Sequence, residues 1–390
     1  MRRNSSFTLC YLSGTPYILP YGQQIANHRR GLQTNATGAF IWDLLETEQD
    51  FQKLLNCCAV HYQAAAHELP LLETDIKQFL TLLQSYGMLE DTIPQKASDS
   101  YPDSFLQIAG LTLKLTGPKE AFSASFDSFR ISDASTIHQQ IVIQESSFLP
   151  KRNGTILLRT EEVMILEDGD IYILLFPSNN QLVEAHLSKD GKLAVFYCLP
   201  PYTEEFREGL FHAIRFTFLY LAQLHHMVAI HSASLLYQEK AWLFSGHSGS
   251  GKSTHTGFWN TTLKTPILNG DLNLIAFTDK GPVIHGIPWC GTSGIADTQS
   301  YSLGGIILLK KHYFDYIEDL SESKKQLYVL QRFISPSWTL SQMQQNCDFS
   351  AKIASSCLVC RYHCTKTPEA VSPIKKEIDT YLEGFVQNDK

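Results

Sequence analysis

Residues 246–254 read GHSGSGKST, which puts Gly246, Gly251, Lys252 and Ser253 at the spacing G-x-x-x-x-G-K-[ST]. Each residue type meets a demand of phosphate binding. Gly246, Gly249 and Gly251 allow backbone angles that a Cβ forbids, so successive N–H groups of His247, Ser248 and Ser250 can turn inward onto phosphate oxygens. Lys252 can reach the β- and γ-phosphates, and the Ser253 hydroxyl can join a magnesium ion. A helix beginning near Ser253 and Thr254 adds its positive end. All nine residues, Gly246 through Thr254, are the expected nucleotide-binding set.

Two further side chains belong to this chemistry. Asp271 follows Lys252 by 19 residues in TPILNGDLNLIAF. From a strand end it can hold Mg2+ through water or accept a proton from an attacking hydroxyl; an Asn-Gly-Asp turn is the plainer reading. His231 lies on the strand before the loop. If Ile230–Tyr237 and Ala241–Ser245 pair around a three-residue turn, Gln238-Glu239-Lys240, His231 falls opposite His247. A second glycine-rich stretch, HGIPWCGTSG over 285–294, has two readings: contact with nucleotide or acceptor, or a tight turn. Trp289 within it reads as packing. The chemistry implied is phosphoryl transfer using ATP and Mg2+, with Lys252, Asp271 and His231 as the catalytic side chains.

The elements that must position these residues fall into three regions. Residues 201–390 carry an apolar strand ahead of the loop, a helix from about 205 to 225, strands near 272–277, 282–285, 304–309 and 356–363, and a final helix near 367–385. Residues 103–200 are β-rich: VMILEDGDIYILLF brackets Asp168-Gly169, and Asp190-Gly191 precedes LAVFYCL, both hairpin signals. Residues 1–95 begin with β-like runs at Phe7–Leu12, Tyr17–Tyr21 and Ile25–Leu32. Three helical patterns follow: one capped by Asn35, one from about Gln49 to Tyr62, and one ending at Gly87. The polar stretch 91–102 reads as a linker. The expected fold is multidomain α+β and α/β: a winged-helix-like N-terminal domain, a β-rich accessory region and a C-terminal phosphate-loop domain.

Bulk properties narrow the classes. The chain has 390 residues, 44% hydrophobic and 18% charged, and a net charge of −7. That composition is globular, and no global positive field favours nucleic acid or an anionic membrane surface. The longest apolar run, Leu193–Leu199, is far short of the roughly 20 residues of a spanning helix. A cytoplasmic protein is expected. The nine cysteines read as reduced thiols. Cys357, Cys360, His363 and Cys364 mimic a metal site, but SSCLVCRYHCT reads as a strand, which sends Cys357 and Cys360 to opposite faces.

The run from His231 through the glycine-rich loop to Asp271 resembles the HPr kinase/phosphorylase family, which is related to ATP-dependent phosphoenolpyruvate carboxykinases. The histidine stands 15 residues before the first loop glycine, the loop reads GxSGxGKS, and the aspartate follows at about the family's distance. The likeness covers roughly residues 205–385. It implies a P-loop kinase core in which Lys252 binds phosphate, Ser253 and Asp271 bind Mg2+, and Asp271 with His231 handles the proton of a serine hydroxyl. A homo-oligomer is also implied. The chain departs from the family in carrying Leu272 where a second aspartate is usual, and Ile287-Pro288-Trp289-Cys290 where an acidic, arginine-bearing signature is usual.

Residues 6–90 resemble PqqD-like peptide-recognition domains, through LQTNATGAFIWDLL (32–45) and LLETDIKQFLTLLQSYGML (71–89). This likeness implies binding of a precursor's leader peptide as an added strand. The expected edge is near Ile25–Gln33, with Ile25, Arg29, Arg30 and Leu32 at the peptide and the two arginines attracting an acidic leader. Together the likenesses imply a leader-guided peptide kinase. Alternatives are a kinase for free serine or another small alcohol, a peptide-binding chaperone or sensor with a degenerate nucleotide site, and a nucleotide hydrolase.

Overall fold

A computed structural model describes residues 1–26, 29–47, 49–90, 101, 103–145, 154–179 and 181–388. The expected linker therefore lies, apart from Tyr101, outside the described residues. Contacts divide the chain into two compact units. The first holds Met1–Asp103, Leu115–Ser123 and Gln140–Ala213; the second holds Ser104–Lys114, Ala124–Gln139 and Ile214–Lys390. The β-rich region is thus shared between the units rather than forming one of its own. No helix of the described residues is long and apolar enough to cross a membrane.

In the first unit, strands Phe7–Leu12, Thr15–Pro20 and Leu32–Gln33 form an antiparallel sheet with Leu32–Gln33 on an edge. Helices Ala36–Leu44, Phe51–His61 and Leu69–Ser85 cover it. Asn35 caps the first of these, its side chain accepting from the Gly38 N–H at 2.8 Å, and Asp50 caps the second. Each such cap contributes about 1 kcal/mol. Gly87 takes φ +69° just past the third helix, as a helix stop there requires. Ile18, Ile41, Trp42, Leu54, Leu80 and Leu83 form the core. One expectation fails. Among its described residues Ile25–Leu32 is not a strand: Gly22 at φ +62° leads into a helical turn, Gln23–Ala26, and pairing is found only at Leu32–Gln33. The usable edge is therefore much shorter than the pattern suggested.

Six more strands of this unit run in the order Thr155–Arg159, Met164–Asp168, Ile171–Leu175, Leu182–Ser188, Leu193–Cys198 and Gln139–Glu145, the last pair parallel. Both expected hairpins form, with Gly169 and Gly191 at positive φ in their turns.

The second unit is built on strands Met227–Tyr237, Lys240–Ser245, Leu272–Thr278, Gly281–His285 and Ser300–Lys311, extended by Leu358–Cys364 and Tyr316–Glu318. Two long strands change neighbours along their length. The first half of Met227–Tyr237 pairs with Leu272–Thr278 and the second half with Lys240–Ser245. Ser300–Lys311 pairs antiparallel with Gly281–His285 and parallel with Lys240–Ser245. One core cluster includes Ile230, Leu243, Ile306, Phe349 and Val359; another includes Trp242, Phe244, Trp259, Tyr362 and Ile374. The expected strand near 356–363 is Leu358–Cys364. Cys357 belongs to the first cluster and Cys360 to the second, and burial pushes both thiols up to about 12.

Candidate functional site

The glycine-rich loop leaves the strand Lys240–Ser245 and enters the helix Lys252–Leu263. Gly249 and Gly251 take φ +72° and +104°, which side chains rarely adopt. Gly246 is required for closeness instead: a Cβ there would stand 2.5 Å from the Ser250 hydroxyl and 2.9 Å from the Leu309 carbonyl. The helix begins at Gly251 with no side-chain cap. The N–H groups of its first turn lack intrahelical acceptors and carry the positive end of the helix. Beside them the Ser250 hydroxyl is buried without a hydrogen-bond partner. His247, Ser248 and Gly249 are exposed at the tip, as are Ser253 and Thr254 on the first turn. Lys252 folds back, its Nζ 3.5 Å from the Gly246 carbonyl. An uncapped helix start, a buried unpaired hydroxyl and a folded-back ammonium are the features that phosphate oxygens satisfy. The cradle fits a polyphosphate.

His231 and Asp271 meet beside this loop, by a route other than the expected one. The turn after Met227–Tyr237 has two residues, Gln238 and Glu239, at φ +48° and +60°, and Tyr237 faces Lys240 rather than Ala241. The register shifts by one, and His231 does not face His247. Instead His231 sits where its strand changes neighbours: it pairs with Leu272, while Ser232 pairs with Ser245. It is thus adjacent to Asp271 on one side and to the start of the loop on the other. Its Nε2 lies 3.1 Å from Asp271 Oδ1. The backbone fixes the pair, since Ser232 N–H donates to the Asp271 carbonyl at 2.9 Å and the Ser245 hydroxyl donates to the His231 carbonyl at 2.6 Å.

Asp271 is presented by a turn that Asn269 builds. The Asn269 Oδ1 accepts from the N–H groups of Asp271 and Leu272, and its amide donates to the Ile287 carbonyl. Below it Ser234, Asn273 and Ser232 are linked by buried hydrogen bonds. The stretch 285–294 closes over this turn: a Cβ at Gly291 would stand 2.8 Å from the Asp271 Cβ, and one at Gly270 would stand 2.2 Å from the Ser293 hydroxyl. Trp289 is buried against Phe126 and Phe218, so it packs as expected.

The electrostatics follow from this geometry. The hydrogen bond from His231, with help from Lys252 and Arg215, holds the Asp271 carboxyl below the usual carboxylate range despite burial. Burial pulls the Lys252 ammonium down, Asp271 opposes that, and Arg332 adds to it. Arg332 was not legible in the sequence. Its carbonyl accepts from the His231 N–H at 2.9 Å, and its guanidinium lies 3.5 Å from the His247 ring. Asn269 could have been recognised, since an Asn two residues before a presented side chain is a turn-builder. A magnesium ion here would find as donors one carboxylate, Asp271, and the Ser253 hydroxyl. That sparse set suits an ion that keeps several waters and takes substrate phosphates as ligands.

The expected peptide-binding residues separate. Leu32 lies on the sheet edge and Ile25 is exposed on the helical turn. Arg29 is committed elsewhere: its guanidinium donates to the Val183 carbonyl at 2.9 Å, near Glu184. It does not stand ready to attract an acidic leader. Arg30 is exposed and helps line a cleft of about 500 Å3 with Gln78, Leu82 and Tyr86 from the third helix region and Gln181 and Phe206 opposite.

Comparison with known proteins bears on this first unit. Residues 25–89 match the family described as Coenzyme PQQ synthesis protein D (PqqD). A search of curated proteins returned no match to the chain. The chain therefore carries a PqqD-like domain over residues 25–89, within a multidomain α/β architecture.

Proposed function

We propose that this protein is a nucleotide-dependent kinase that phosphorylates a serine or threonine hydroxyl on a precursor peptide recruited by its PqqD-like domain. The observation that carries the kinase reading is the His231–Asp271 pair at 3.1 Å beside an uncapped, glycine-built helix start bearing Lys252. Backbone N–H groups from His247 to Thr254 and the Ser250 hydroxyl would bind the phosphates. Lys252 would neutralise charge that grows on the β- and γ-phosphate oxygens in a loose transition state. Ser253 and Asp271 would hold magnesium, which when bound shields that same charge.

The acceptor hydroxyl forms its bond to the γ-phosphorus while the bond from phosphorus to the β-bridging oxygen breaks, releasing the nucleoside diphosphate. The hydroxyl proton passes to the His231–Asp271 pair. A carboxylate held below its usual range is a weak base, so Asp271 is better suited to staying ionised and orienting the imidazole than to abstracting the proton unaided. Little base strength is needed, because the transition state is largely dissociative.

The peptide half of the reading rests on the PqqD-like match and on the exposed edge Leu32–Gln33, which could take an added strand. Tethering raises the acceptor's effective concentration to about millimolar for a short linker. A second reading, a peptide sensor that binds nucleotide without turnover, is favoured by one observation: Leu272, buried at 1% exposure, stands where related kinases pair a second carboxylate. Nucleoside diphosphate release separates the readings. A peptide kinase releases it fastest with a serine-bearing peptide selected for binding to the protein. Equal stimulation by free serine supports a small-molecule kinase, equal release without acceptor a hydrolase, and no release in any mixture the sensor.

A further inference from the structure

The turn His312–Tyr316 carries two large rings in water. Tyr313 is 97% exposed and Phe314 62% exposed. Such exposure is unfavourable unless a partner covers it. Phe314 is held in place, whereas Tyr313 reaches, among the described residues, only the His312 ring, at 6.2 Å. Phe314 meets His312 at 4.3 Å and Tyr316 at 5.4 Å between ring centroids, and Tyr316 stacks on the buried His363 ring at 4.2 Å. His363 is pinned by Glu318 at 2.8 Å. The Asp315 carboxylate accepts from the Thr365 N–H and hydroxyl, which ties the turn down. The result is a preorganised aromatic face.

Its position relates it to the phosphate cradle. The strand Ser300–Lys311 runs parallel to Lys240–Ser245, so the turn after it and the glycine-rich loop emerge at the same carboxyl edge, where open α/β sheets take ligands. The Leu309 carbonyl lies against Gly246. With a rise of about 3.3 Å per residue, His312 stands roughly 10 Å beyond Leu309 along the strand direction, within the span of a nucleotide from phosphate to base. Burial pulls the His255 imidazole, in the first turns of the loop helix, down, and the Asp315 carboxylate opposes that, so the turn stands near the start of that helix.

We propose that Tyr313 and Phe314 form the platform on which the nucleobase stacks, a reading that rests on the glycine-rich loop binding the nucleotide's phosphates. Stacking on an aromatic face is tolerant of base identity, because every base has a π face. ATP and GTP should therefore bind with similar affinity.

The test is calorimetric titration of the full chain, in magnesium, with ATP, GTP and inorganic tripolyphosphate. The wild type should bind both nucleotides at least about tenfold more tightly than tripolyphosphate, the size expected of one good base–aromatic stack. Tyr313→Ala combined with Phe314→Ala should abolish that advantage and leave tripolyphosphate binding unchanged, and Phe314→Tyr should keep the advantage. An undiminished advantage in the double variant overturns the platform while sparing the phosphate cradle. Absence of binding by any of the three ligands to the wild type overturns the cradle and the platform together.

Discussion

The two candidate binding regions of this molecule are built on opposite plans. In the second unit, the proposed function would be carried by side chains and by backbone that only glycine can shape: Gly249 and Gly251 at positive φ, Lys252 folded over the loop, His231 against Asp271. In the PqqD-like domain it would be carried by an open strand edge, two residues long, beside a cleft. The first plan constrains residue types at fixed spacing. The second constrains a shape, which many sequences satisfy, and this is why a family comparison rather than a short motif identifies it. Mutations should therefore act sharply in one region and gradually in the other.

The largest effect belongs to Lys252. Lys252→Ala should lower phosphoryl transfer more than about 100-fold, because the ammonium meets charge that exists chiefly in the transition state. Peptide affinity, measured by fluorescence anisotropy, should not change. A parallel loss of peptide binding would break the division between the regions.

A smaller effect is expected at Gly291, which touches no phosphate. Gly291→Ala places a Cβ 2.8 Å from the Asp271 Cβ at φ +60°. The strain should lower thermal stability by about 1 kcal/mol, and the displaced carboxylate should lower kcat about tenfold while nucleotide Kd stays put. An unchanged kcat would mean that Asp271 need not be held where it is.

In the PqqD-like domain, Arg30→Glu reverses one exposed charge at the cleft. Binding of an acidic peptide should weaken by no more than about fivefold, since an exposed pair contributes only about 1 kcal/mol or less and is screened by salt. Arg29→Ala would not test attraction of the peptide, because that guanidinium is bonded to Val183.

The smallest effect concerns acid stability. Asp271 has its folded pKa below its unfolded value, so its stabilising contribution is present above the unfolded carboxylate range, near about 3.9, and is lost as pH falls through the folded value. Asp271→Asn should make acid unfolding, followed by circular dichroism, slightly less steep in that window. An unaltered slope would show that the His231 hydrogen bond adds nothing to folding.

The contrast also explains what could be read from the sequence. The loop was legible because a backbone that turns its N–H groups inward needs glycine at set positions. His231 was legible as a neighbour of the loop, but not by its register: a two-residue turn with both residues at positive φ looks, in sequence, like the three-residue turn Gln238-Glu239-Lys240. The bend that lets one strand serve two neighbours, and so bring His231 to Asp271, leaves no periodic signal. Arg332 enters through an isolated bridge between Ile230 and Phe333, about a hundred residues apart, which no local pattern announces. In the N-terminal domain the three helices and their caps were legible from Asn35 and the apolar spacing. The run from Ile25 to Leu32 was read as extended, whereas Gly22 at φ +62° turns the chain into the helical step Gln23–Ala26.

The measurement that bears most directly on the account is mass spectrometry of a library-selected, serine-bearing peptide after incubation with the protein, γ-labelled ATP and magnesium. The account predicts a labelled phosphate on a serine or threonine of that peptide, absent with Lys252→Ala. Stoichiometric binding of both ATP and peptide with no phosphate on any residue would contradict it.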